Sequence, residues 1–360
     1  MAVATLAAVM ACAHGSHPST VPMLSPMSVN PNSTGFVWGV QGHPGKQAAY
    51  AASGEGLARQ LDYIHGLQAS HYRIDLYPDS AGNVGSAFGG ILNEADARGI
   101  RILPLLVAAP DQNVSDSANY HSGYAMAFNF AARYQGRFSH VEVGNELDNS
   151  ALRFTVDSTA SPHRVLYPDG SSLDHYVDSR LSRTTAFLRG MTEGIHQGAP
   201  GTSVIINAGF RHYAFLEALH RDSVPFDVYG YHWYSDMGDF AADVLPHLPD
   251  QSKDIWITEA NWRNTPDAYQ EVEQGRWIGE FAREISLISR VKALFIYELF
   301  DERAFGLRDP EASYGIVGCS NETCSGRMRL KPGFYAYREA ILESLRGTRA
   351  LTTLRQQTTN

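Results

Sequence analysis

Cysteine is scarce: the 360 residues contain three. A framework of several disulfides is therefore excluded. Cys319 and Cys324 stand close enough in sequence to close a small loop as a bridge, the alternative being two unrelated thiols. Positive charge is also short, with 29 Lys and Arg against 38 Asp and Glu and a formal net charge of -9. The basic residues do not cluster, and an acidic surface repels phosphate backbones, so nucleic acid is excluded as a partner. Long apolar runs are missing too. Ala2–Ala13 is too short to span a bilayer as a helix, so no transmembrane segment is expected. No Gly-x-Gly-x-x-Gly turn opens the first strand–helix unit, which counts against a dinucleotide-binding sheet. No His-x-His pair or His-Glu-x-x-His helix occurs, so no metal and no cofactor are expected. No Gly-x-Ser-x-Gly elbow follows a strand, and a serine hydrolase fails on that ground.

With 44% hydrophobic and 19% charged residues the chain suits a globular protein with a large core, and one α/β barrel can absorb this length. The N-terminus reads differently. Residues 1–35 combine the small apolar run with a stretch rich in Pro, Ser and His, and look like an export leader and linker without a basic n-region. Val9-Met10-Ala11-Cys12 has the form of a bacterial lipobox, in which Cys12 would carry a lipid anchor. Export is expected (periplasmic, secreted or lipid-anchored), and a monomer. Residues 348–360 read as a polar C-terminal tail.

Between them, residues 36–347 alternate short β-branched or aromatic runs with amphipathic ones. The strands are placed at Phe36–Val40, Tyr72–Leu76, Ile100–Val107, His140–Val143, Ser203–Asn207, Phe226–Tyr231, Asp254–Thr258 and Val291–Tyr297. Apolar residues spaced three to four apart place helices at Gly56–Gln68, Ala87–Ala97, Gly123–Tyr134, Asp174–Gln197, Ala214–His220, Phe240–Leu245, Asp267–Ser289 and Pro332–Leu345. Strands alternating with helices imply a parallel sheet with right-handed crossovers, and eight units imply a single closed (β/α)8 TIM barrel. Two stretches exceed ordinary loop length: Leu147–Leu173 after the fourth strand and Phe300–Leu330 after the eighth. Both fall on the side of the barrel where sites are built.

Two of the strand runs end in a carboxylate: Val141-Glu142-Val143-Gly144-Asn145-Glu146 and Asp254-Ile255-Trp256-Ile257-Thr258-Glu259. Breaking a glycosidic bond takes two carboxyl groups facing each other across it. Glu146 alone reads equally well as a loop charge. Glu259 follows Ile255, Trp256 and Ile257, and a carboxylate there is costly to bury without a partner or a task.

Asn145-Glu146 after the fourth strand with Glu259 after the seventh resembles clan A of the glycoside hydrolases, the retaining (β/α)8 enzymes that include families 5 and 39. The resemblance implies Glu146 as acid/base, Glu259 as nucleophile, and Asn145 as a hydrogen-bond partner of the sugar's 2-hydroxyl. Arg73 sits where such enzymes carry an arginine on the second strand, and a cation there would keep Glu259 ionised. Asp75 shares its strand parity and is expected to hold it as a bidentate pair. Tyr231-His232-Trp233-Tyr234 is similar to the clan's His-x-Tyr, with Tyr234 donating to the nucleophile and His232 orienting the site. Trp233, Trp262 and Tyr297 or Phe300 offer faces for sugar stacking. The chain departs from the family in lacking a tryptophan at the end of the eighth strand. Gln41 and His43 are candidates for sugar hydroxyl contacts.

The long loops suggest a cleft for a chain, and the resemblance implies double displacement on a β-linked oligo- or polysaccharide, endo-acting, with bacterial exopolysaccharide, β-glucan and β-xylan as substrate classes. Glu146 is expected to be held protonated by a less polar setting. The alternatives are an exo-acting β-glycosidase or β-xylosidase, and a non-catalytic carbohydrate-binding barrel.

Overall fold

The computed structural model describes residues 35–358 except 46–47, 52–53, 158, 160–163, 264–269, 307–309, 322–323 and 325. The leader-like segment and the lipobox at Cys12 lie outside the described residues.

Eight parallel strands follow one another around a closed barrel: β1 (Val37–Gly42), β2 (His71–Leu76), β3 (Arg101–Leu106), β4 (His140–Val143), β5 (Ser203–Gly209), β6 (Val228–Tyr234), β7 (Ile255–Asn261) and β8 (Val291–Ile296), with β8 pairing back onto β1. This is the (β/α)8 architecture that the alternation implies. Helices Gly54–Leu67, Phe88–Ala97, Asp116–Arg133, Asp178–Gly198, Tyr213–Arg221, Glu271–Leu287 and Pro332–Thr358 cover the outside. Between β6 and β7 the cover is only the short helix Phe240–Asp243 and the 3-10 turn Leu245–His247. Among the described residues no helix is long and apolar enough to cross a membrane.

The helix expected at Gly123–Tyr134 begins earlier, at Asp116, because Ser115 caps it by accepting from Ala118 N. The last helix continues past Leu345 to Thr358. Several strands run on past their expected ends: β5 reaches Gly209, β6 reaches Tyr234 and β7 reaches Asn261. A reading based on apolar runs stops at the first polar residue. Here β6 and β7 continue past that point with polar residues, His232 and Glu259, that face the barrel interior, alternating with outward Trp233 and Ala260.

The interior is layered accordingly. Its lower part is apolar, filled by Leu103, Ile205, Val228, Trp256, Ala293 and Phe295. Phe295 occupies its place because position 39 is glycine; a Cβ there would collide with the ring. Toward the strands' C-terminal ends the buried layer turns polar: Gln41, Arg73, Glu142, Asn207, His232 and Glu259. One irregularity in β7 decides which way Glu259 points. Tyr231 pairs with Ile257, but its neighbour His232 pairs with Glu259, so β7 carries one extra residue at Thr258. Ile255 and Ile257 pack outward against the helices while Trp256 points inward. Without the bulge Glu259 would share the outward parity of Ile257; the extra residue turns it into the barrel.

The loop after β4 holds the short helix Leu147–Ala151 and a hairpin of Thr155–Asp157 with Arg164–Leu166. The loop after β8 holds a hairpin of Val317–Cys319 with Met328–Leu330, and a disulfide joins Cys319 to Cys324.

Candidate active site

Glu146 and Glu259 meet at the mouth of the barrel. One carboxylate oxygen of each, together with a ring nitrogen of His232, lie within 4.8 Å of one another. Both glutamates line a cavity of about 260 Å³ whose other walls include His43, Asn145, Tyr234 and Tyr297.

Local backbone chemistry aims Glu146. After β4 the chain turns at Gly144 (φ 72°), and Glu146 itself is left-handed with φ 48° and ψ 41°, a region few residues other than glycine enter. Asn207, at the end of β5, holds the turn. Its side chain accepts from Glu146 N at 2.8 Å and donates to Gly144 O at 2.8 Å and to Glu142 Oε1 at 2.7 Å. Glu259 is held by two donors, Arg73 Nη1 at 2.7 Å and Tyr234 Oη at 3.0 Å.

Arg73 is fully buried between β1 and β3. Its Nε donates to Glu142 Oε2 at 2.6 Å and its Nη1 also reaches Gln41 Oε1 at 2.8 Å. The carboxylate that holds Arg73 is thus Glu142, not Asp75. Asp75 turns instead to Gln41 Nε2 at 2.7 Å and His43 Nδ1 at 2.6 Å. Burial alone would lower the guanidinium's pKa, but Glu142 and Glu259 raise it above its ordinary value, so it stays charged. Burial raises Glu142, yet Arg73 and His232 bring its carboxyl down to about 2.

His232 stands between the two candidate catalytic groups, with Nδ1 at 3.0 Å from Glu146 Oε1 and 3.5 Å from Glu259 Oε2. Burial would keep it neutral; Glu259, Glu142 and Glu146 outweigh that and raise it to about 10. The consequence for Glu146 reverses the expectation of a protonated resting state. Burial pushes its carboxyl up, but the hydrogen bond and charge of His232 pull it below the usual carboxylate range. No run of residues around Glu146 signals that His232 sits against that carboxylate.

The remaining candidates divide. Tyr297 faces the cavity and donates to Glu311 Oε2 at 2.8 Å. Phe300 does not; it is buried against Tyr50 and Tyr63. Asn145 and His43 line the cavity, while Gln41 lies behind it as a link between Arg73 and Asp75. Trp233 is 1% exposed and packs outside the barrel against Phe240, so it offers no stacking face. It alternates with His232 and Tyr234, and alternate residues of a strand point to opposite sides. Trp262 is half-buried and is not among the residues lining the cavity.

Sequence reasoning passed over Glu142, Asn207, Arg263 and Glu311. Glu142 carried a signal, a lone charge inside the apolar run of β4 with the parity of Gly144 and Glu146. Arg263 and Glu311 line the cavity from loops and had none. Among the described residues, two groups could hold a metal: Glu146, His232 and Glu259 at the mouth, and His43, Glu298 and Glu302 beside it. Motif scanning missed the second because it is assembled from the loops after β1 and β8.

No protein-family model matches the chain by sequence, and no curated protein does. Solved structures do match in fold. Xylanase 10B from Thermotoga maritima has a TM-score of 0.62 at 12% identity, over 88% of this chain and 97% of that one. GH5_18 from Streptomyces cattleya, in complex with GlcNAc, has a TM-score of 0.60 at 16% identity, over 86% and 80%. The GH39 enzyme from Xanthomonas axonopodis pv. citri has a TM-score of 0.56 at 11% identity, over 84% and 65%. The chain shares the TIM-barrel fold of these glycoside hydrolases.

Proposed function

We propose that this protein is a retaining glycoside hydrolase that cuts β-linked polysaccharides internally, with Glu259 as nucleophile and Glu146 as acid/base. The observation that carries the reading is the approach of these two carboxylates to within 4.8 Å at one cavity. An approach of one oxygen from each carboxylate to within that distance favours double displacement, in which the carboxyl groups stand ~5–5.5 Å apart, over inversion, which needs ~6.5–9.5 Å to admit a water between them. The fold relatives support the reaction class.

Glu259, kept ionised by Arg73 at 2.7 Å, attacks the anomeric carbon. The glycosidic C–O bond breaks, and the leaving oxygen takes a proton from Glu146. Glu146 then removes a proton from water, whose oxygen displaces Glu259 and releases the sugar. The resting charge of Glu146 must be reversed before the first step. Substrate covers the half-buried carboxyl and strengthens the desolvation that already pushes it up. The nearest proton is on His232 Nδ1, 3.0 Å away. Tyr234 holds the second oxygen of Glu259, and Tyr297 supplies the ring at the cavity wall where a sugar can stack. Neither step needs a cofactor.

The long loops after β4 and β8 favour a chain as substrate over a disaccharide. Bacterial exopolysaccharide, β-glucan and β-xylan are the first substrates to try. The disulfide fits an oxidising compartment, in keeping with export and with a lipid anchor at Cys12. The test is a panel of polysaccharides followed by reducing-end release and proton NMR of the first product. Wild type is expected to release ends with retained configuration. Glu259→Gln is expected to lose ~10³-fold or more in kcat with its melting temperature kept, and Glu146→Ala to recover rate with azide or a good leaving group. Inverted product, or near-normal turnover by Glu259→Gln, refutes the assignment.

A further inference from the structure

Beside the cavity, but outside the proposed chemistry, two carboxylates are buried almost completely: Glu298 from the end of β8 and Glu302 from the loop that follows. A ring nitrogen of His43 and one oxygen of each glutamate lie within 4.8 Å of one another. His43 is 4% exposed, and its Nε2 has no hydrogen-bond partner while pointing at Glu298 Oε2 from 3.4 Å. The other ring nitrogen, Nδ1, is taken by Asp75 at 2.6 Å. A carboxylate on one side of an imidazole fixes the tautomer, raises the basicity of the opposite nitrogen and turns its lone pair outward. That is the outer-shell arrangement of metal-binding histidines. Tyr50 completes it by donating to Glu298 Oε2 at 2.7 Å. Edge-on contacts of the His43 ring with Tyr50 and Tyr297 hold its plane.

We propose that His43, Glu298 and Glu302 form a structural site for a divalent transition cation of the zinc class. Two ligand atoms ~2.1 Å from a zinc at tetrahedral angles stand ~3.4 Å apart, the separation of His43 Nε2 from Glu298 Oε2. One imidazole and two carboxylates suit zinc or manganese better than calcium, and a water fills the fourth position. The ion ties the loop after β1 to the loop after β8, fixing His43 and Tyr297 at the cavity wall. This site stands independently of the glycosidase reading.

The test is metal content of the full chain after equilibration with zinc and dialysis into metal-free buffer, alongside thermal melting with and without a chelator. Wild type is expected to retain about one zinc per chain and to melt lower after chelation, with recovery on adding zinc. Glu302→Gln is expected to retain none and to melt independently of zinc. Glu259→Gln is expected to retain the ion, which separates this site from the trio at the mouth. Cobalt in place of zinc is expected to give the visible absorption of a tetrahedral site in wild type, a readout that does not depend on any variant folding. Wild type without metal, and with melting indifferent to zinc and chelator, overturns the proposal. Zinc retained by Glu302→Gln, or lost by Glu259→Gln, overturns it as well.

Discussion

Arg73→Met removes the one guanidinium at the centre of the polar layer. Arg73 contacts Glu142 at 2.6 Å, Glu259 at 2.7 Å and Gln41 at 2.8 Å, all buried inside the barrel. Removing one partner of a buried ion pair costs about 3–5 kcal/mol, because the other charge stays behind. The depression of Glu142 from 4.5 to about 2 gives a consistent figure, about 3 kcal/mol at neutral pH. For a domain of this size, a loss of about 4 kcal/mol lowers the melting temperature by roughly 6 °C. The sign of the pH dependence is the sharper test. In wild type Glu142 has a folded pKa below its unfolded value, so its contribution is present above about pH 4.5 and is lost as pH falls toward 2. In Arg73→Met, burial without the cation raises the carboxyl above its unfolded value, and stability is then lost as pH rises. The variant is therefore expected to melt higher at pH 5 than at pH 8 by calorimetry. Adding Glu142→Gln should restore most of the stability at pH 8 but not the activity, since Glu259 still lacks its cation. An Arg73→Met protein with the wild-type melting temperature and pH dependence would refute the buried-pair account.

His232→Asn removes both the charge that holds Glu146 down and the proton Glu146 draws on, so the carboxyl itself rises but the alkaline limb of kcat/KM, set in wild type by the imidazolium, moves to lower pH; an unmoved limb rules out His232 as the tuning group. At the other end of the barrel, burial lowers His71 to about 3 and His140 to about 4. Both bind protons first in the unfolded chain, so stability falls as pH drops from about 6.5 toward 3. His71→Met should melt within a few degrees of wild type at pH 7.5 and lose less on going to pH 4.5; an equal loss refutes the assignment.

The barrel was legible because each strand run and each helix run carries its own period, and eight repeats of the pair leave little choice of architecture. Glu146 and Glu259 were legible for a different reason, as carboxylates at the ends of apolar runs. The route by which Glu259 reaches the cavity was not. Simple alternation sends it outward with Ile255 and Ile257, and only the extra residue at Thr258 turns it in. A bulge depends on register with two neighbouring strands, which no single run encodes. Trp233 failed as a sugar platform through the same period-two rule, since His232 and Tyr234 already claim the inner face. The pairing of Arg73 failed because parity names every residue on the inner face and cannot choose between Asp75 on its own strand and Glu142 two strands away. The charge on His232 was hidden too, for it arises from three carboxylates contributed by β4, the following turn and β7.

The most direct measurement is mass spectrometry of the protein after reaction with an activated 2-deoxy-2-fluoro glycoside of whichever sugar the panel shows to be cleaved. Glu259 as nucleophile predicts one covalent glycosyl adduct, located by peptide mapping on that residue. No adduct on an enzyme that still hydrolyses the parent substrate, or an adduct on another residue, would contradict it.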